Sequence, residues 1–90
     1  MTMGFAGLDV EAIRHLARQL DIQSNEVRAA SRELNQLVRS TEWFGADQRR
    51  FMSDWETTKL PALNRAATLL ADASQIASQG AVEQERVSRS

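Results

Sequence analysis

The residues of this 90-residue chain whose types could do chemistry are few, and their spacing does not bring them together. Asp47, Asp54 and Glu56 invite a metal-binding or acid–base reading, yet carboxylates seven apart on one exposed helix face ordinarily meet only solvent. His15 is the sole histidine and cysteine is absent, so the usual nitrogen and sulfur ligand set for zinc cannot be assembled. Arg49-Arg50 is too short to form an anion patch. The chain has no glycine-rich phosphate loop and no Glu-x-x-His pair of the kind that builds di-iron sites in helical bundles. Catalysis is the lowest-ranked class, with no cofactor and no metal site expected. The spacing that does carry information is aromatic and apolar, which shifts attention to the elements that position it.

A chain this short makes one small domain and has difficulty supplying a full core by itself. Disulfides and a thiolate metal are excluded by composition, so oligomerisation is the remaining way to complete it. The formal charge of −1 lacks the basic excess of a nucleic-acid module. Charges interrupt every apolar run well before the length of about 18 residues that a membrane span needs. Met1 to Leu8 has no basic flank, so no conventional signal peptide is expected, and export would need another route.

The first periodic segment covers about residues 9–39. Asp9 suits an N-cap and Glu11 the positive end of the helix dipole. Ile13, Leu20, Val27 and Leu34 recur at intervals of seven, with Leu16, Ala30 and Leu37 filling the intervening line and Gln23 breaking it. This heptad seam predicts packing along another long helix. Arg14, Arg18, Arg28, Arg32 and Arg39 share a different sector. That sector is either a solvated face or an electrostatic stripe for an acidic partner.

Residues 40–45 break the pattern, and a short connector between long helices sets them antiparallel. The second periodic segment covers about residues 46–79. Phe51, Trp55, Ala62, Leu69, Ala73 and Ile76 form one seam, assigned to the hairpin core. Leu60, Leu63, Ala67 and Leu70 form another, assigned to a partner because one flanking helix cannot cover both. Pro61 predicts a kink near residue 61, with the apolar register of Trp55, Ala62 and Leu69 kept across it. Gly80 is read as a helix stop and residues 80–90 as a mobile polar tail. The expected fold is all-α: a single antiparallel two-helix hairpin that pairs as a dimer into a four-helix bundle.

Trp43-Phe44-Gly45 falls in the turn between the helices. A large rigid indole at a bend either plugs the end of the core or forms a surface that another protein reads. Together with Phe51 and Trp55 at the spacing that follows, this arrangement resembles the WXG family of small helical secretion proteins, relatives of the early secreted antigenic target of mycobacteria. The resemblance extends over nearly the whole chain. It implies a helical hairpin that pairs with itself or with a second WXG-like subunit. It further implies export without a cleaved signal peptide by the type VII (ESX) machinery of actinobacteria and Gram-positive bacteria. Trp43 and Gly45 would then belong to a composite export signal completed by a tyrosine motif. This chain contains no tyrosine, which points to the subunit that travels with a signal-bearing partner. The expected function is a non-enzymatic secreted protein or secretion partner, acting through helical dimerisation, with no nucleic-acid partner and no stable membrane insertion. The alternative is a non-exported helical adaptor or chaperone for a larger protein or toxin.

Overall fold

The computed structural model describes the backbone of residues 2–89 and the side chains from Val10 to Arg89. Helix α1 spans Thr2–Ser40, α2 spans Ala46–Asp54, a π-helical turn spans Trp55–Lys59, and α3 spans Leu60–Arg89. The second arm, from Ala46 onward, folds back antiparallel along α1, giving the all-α hairpin expected. The described backbone measures 66 × 17 × 16 Å, only two helices across. Each helix therefore has one neighbour, and burial occurs along a line instead of inside a core. No helix among the described residues is long and apolar enough to cross a membrane.

The line where the arms meet is built from small residues. Val10, Ala17, Ser24 and Ser31, spaced by seven along α1, are all buried, and Ala67 and Ala81 are their buried counterparts on α3. Side chains this small let two helices approach closely, and the hydroxyls of Ser24, Ser31 and Ser74 are paired, while that of Ser88, further along the same line of α3, is buried without a partner among the described residues. Ser24 Oγ donates to the carbonyl of Ala67 at 2.7 Å, and Ser74 Oγ donates to the carbonyl of Ala17 at 2.7 Å. Ser31 Oγ donates to Asn64 Oδ1 at 3.2 Å. Each arm thus sends a serine to the other's backbone, satisfying the polar groups that the close approach hides from water.

The core assignments made from periodicity need correction. On α3 the two seams exchange roles. Leu69 and Ile76, assigned to the hairpin core, are 67% and 73% exposed, and Phe51 is exposed at the edge. Leu60, Leu63, Ala67 and Leu70, assigned to a partner, face α1 instead, Ala67 being wholly buried and the leucines half-buried. Trp55 is buried and sits at the head of this inner line. On α1, Ile13, Leu20 and Val27 are half-buried beside the small-residue line, while Leu16, Leu34 and Leu37 are exposed.

For α3 the cause lies in residues Trp55–Lys59. A π-turn holds one residue more than an α-turn, so the helix phase slips by one position across it. The amide of Leu60 bonds the carbonyl of Trp55, five residues back. Trp55 is then in step with Leu63 and Ala67, not with Ala62 and Leu69, so the register is not kept as expected. Pro61 accounts for the placement of this turn. Its ring would press on the carbonyl four residues earlier in a regular helix, and a wider coil gives that carbonyl room.

Both outer ends also differ from the sequence reading. Helix α1 begins at Thr2, so Asp9 lies inside it and does not cap it. Helix α3 continues through Gly80 to Arg89, so residues 80–90 are not a detached tail over their described length. The C-terminal turns pack on α1: Ala81 is buried, and Arg14 Nη2 meets Glu85 Oε2 at 2.8 Å. Hydrogen bonding from Arg14, and then its charge, hold the Glu85 carboxyl below its ordinary value, against a smaller desolvation effect. A lowered folded-state value means the contribution is present above the unfolded carboxylate pKa and is lost as pH falls through the folded one. Glu85→Gln should therefore speed amide exchange in the last turns of α3 at neutral pH. That difference from the parent should vanish in acid below the usual carboxylate range. A difference persisting in acid would assign the effect to packing.

Candidate functional site

Helix α1 ends in a tight local cap. The amide of Thr41 bonds the carbonyl of Leu37 at 3.0 Å, and Thr41 Oγ1 and Ser40 Oγ donate to the same oxygen at 2.6 and 3.3 Å. Residues 41–45 then cross to α2. Gly45 has φ 100° and ψ −168°, a region essentially closed to residues with a side chain. A Cβ there would meet nothing within 4 Å, so the backbone and not space demands glycine. The carbonyl of Gly45 accepts from the amide of Arg49 at 3.3 Å, and Asp47 stands in the first turn of α2, where the helix dipole favours a carboxylate.

From this bend an aromatic ladder runs down the second arm. Trp43 and Phe51 have ring centroids 5.2 Å apart at a 48° tilt, and Phe51 stacks on Trp55 at 6.5 Å with planes 7° apart. Trp55 anchors the ladder, donating from Nε1 to Asn35 Oδ1 across the hairpin at 2.9 Å. Above Trp55 the ladder is open to water, Phe51 and Trp43 being 42% and 43% exposed, and Phe44, outside the ladder, is 84% exposed. Trp43 therefore does not plug the end of the core. It lines an open depression together with Asp47, Arg50, Phe51 and Asp54.

The long sides of the hairpin differ from one another. On one flank the arms are laced together by polar side chains. Arg14 reaches Glu85, Arg28 Nη2 donates to Thr68 Oγ1 at 3.3 Å, and Arg39 pairs with Glu56 at 3.3 Å. Part of the arginine sector is thus neither a plain solvated face nor a free stripe, since it clamps the second arm; Arg18 and Arg32 remain exposed. On the opposite flank, Ile13, Leu20 and Val27 lead outward to Leu16, Leu34 and Leu37. Across the seam, Leu63, Leu70 and Ala77 lead outward to Ala66 and Ala73. None of the polar bonds named above crosses this side.

Comparison with family models, curated proteins and solved structures finds no match.

His15 is exposed and far along α1 from Asp47, Asp54 and Glu56, and the structure does not bring these groups together. Asp47 pairs with Arg50 at 3.8 Å and Asp54 with Lys59 at 3.5 Å. No three His, Cys, Asp or Glu side chains among the described residues are placed to hold a metal ion. What the chain displays is apolar: the aromatic bend and the open flank. Periodicity found the flank residues but missed the seam they border, because Ser24, Ser31 and Ser74 count as polar. The usable signal was small residues repeating at seven on both arms, Ala17-Ser24-Ser31 and Ala67-Ser74-Ala81.

Proposed function

We propose that this chain is a non-enzymatic helical-hairpin subunit that pairs with a second hairpin through its open apolar flank, completing a four-helix bundle. We further propose that it serves a type VII (ESX) export system, as secreted protein or secretion partner, reaching the outside without a cleaved signal peptide. The observation that carries the pairing is the flank itself. Leu16, Leu34 and Leu37 lie exposed beside half-buried Ile13, Leu20 and Val27, and Leu63 and Leu70 stand half-buried across the seam. Contiguous apolar surface of this extent on a small protein ordinarily marks an interface.

The type VII reading is supported by the resemblance to the WXG family and by the form of the bend. Trp43 stands half-exposed and Gly45 holds a backbone that only glycine tolerates. With no tyrosine in the chain, the completing export motif would come from the other hairpin. The test is secretion and pairing together. The chain is expressed with its neighbouring gene products in a host whose type VII motor ATPase is intact or disabled, and the medium is assayed. Motor-dependent appearance in the medium, abolished by Leu34→Arg with Leu37→Arg but not accompanied by lost helicity, is the expected result. Retention in the cytosol in both hosts, bound to a larger protein, would replace this reading with the adaptor.

A further inference from the structure

The bundle proposed above does not use all of the apolar surface. A partner on the open flank covers the side of α3 that carries Leu63, Leu70, Ala66 and Ala73. Ala62, Leu69 and Ile76 lie about 150° round α3 from the buried line, on the side facing away from α1. They are spaced by seven, and all remain exposed. Beside them, also seven apart, stand Arg65 and Asp72, both exposed. Neither side chain makes a hydrogen bond or ion pair with any described residue.

We propose that this outer ridge of α3 binds a second copy of the same chain, α3 against α3, antiparallel about a two-fold axis at Leu69. The inference rests on reading the chain as a pairing hairpin and adds a second, separate interface to it. Three features of the ridge fit this occupant. An axis at Leu69 lays that side chain on its own symmetry mate. Seven residues out, it sets the small Ala62 against the large Ile76 of the second copy on both sides, so the ridge is its own complement in shape. It also brings Arg65 to within one residue's rise, about 1.5 Å, of Asp72 of the second copy on the same edge of the contact, and Asp72 likewise to Arg65. The parallel arrangement would instead put each of these residues and its mate on opposite edges of the contact, leaving all four charges unpaired. A contact one helix deep belongs to the weak end of interface sizes, so the expected dimer is reversible.

The chain contains no cysteine, which makes the axis directly testable in the full-length protein. Leu69→Cys and, on the open flank, Leu16→Cys are prepared; both positions are exposed, so neither change disturbs the seam. Under mild oxidation Leu69→Cys should form a disulfide-linked dimer at least about tenfold faster than Leu16→Cys, because only a residue at the axis meets its own copy within disulfide reach. Arg65→Asp and Asp72→Arg should each weaken the dimer in sedimentation at low salt, and the double exchange should restore it. Faster linkage at Leu16→Cys would overturn the ridge and place the second copy on the flank, keeping the pairing reading. A monomer with no linkage at either position would also overturn the ridge, while pairing with a different hairpin would still be decided by the secretion experiment.

Discussion

A chain lacking Thr58 and carrying Pro61→Ala should fold into the same hairpin and unfold no earlier than the parent. Shortening a helix by one residue normally turns everything beyond the deletion through about 100° and ruins its packing. Here the π-turn at Trp55–Lys59 already holds a surplus residue. Its removal converts that turn to an ordinary α-turn and leaves Trp55 in step with Leu63, Ala67 and Leu70. Pro61→Ala is included because the proline would meet a regular helix at a cost of about 3 kcal/mol. The control removes Asp72 instead, with the same Pro61→Ala. That deletion brings Gln75, Ser78 and Val82 to the buried line in place of Ser74, Ala77 and Ala81. Overpacking by Gln75 and Val82 costs about 1–3 kcal/mol at each site, and burying the Gln75 amide adds to it. Circular dichroism melts of the two variants read the contrast. Equal destabilisation would mean that the π-turn does not set the register.

The two tryptophans should separate just as clearly. Trp55→Ala removes a buried indole, the base of the aromatic ladder and the bond to Asn35, and should cost about 3–5 kcal/mol. Small domains have a total stability of about 5–15 kcal/mol, so this variant should be largely unfolded on mild heating. Trp43→Ala loses one tilted ring contact at a half-exposed site and should cost about 1 kcal/mol. Its helicity should survive while export or partner recognition suffers. Urea unfolding gives both numbers. A Trp43→Ala loss as large as that of Trp55→Ala would return Trp43 to a structural role.

These variants also mark the boundary of what the amino-acid sequence could reveal. Helix, turn and helix were legible, because Ile13, Leu20 and Val27 recur at seven and Gly45 follows a break in the pattern. The bend was legible too, since only one connector lies between two long periodic runs. The facing of α3 was not. It depends on a single-residue slip between Trp55 and Leu60, and periodicity carries phase across a helix only while every turn has the same number of residues. Pro61 announced an irregularity but not whether the phase would change. The seam itself was hidden for another reason: Ser24, Ser31 and Ser74 are buried because their hydroxyls find the opposite backbone or Asn64, which no hydropathy scale expresses.

The two-helix thickness has a consequence for passage. A backbone envelope of 66 × 17 × 16 Å is a needle whose girth is set by two rods held against each other by alanine and serine. On the export route proposed above, such a needle would fit lengthwise, still folded, through a conduit only a little wider than two packed helices with their side chains. A second hairpin on the flank would roughly double the cross-section, so on that route the bore of the channel would decide whether the pair travels assembled or parts at the entrance.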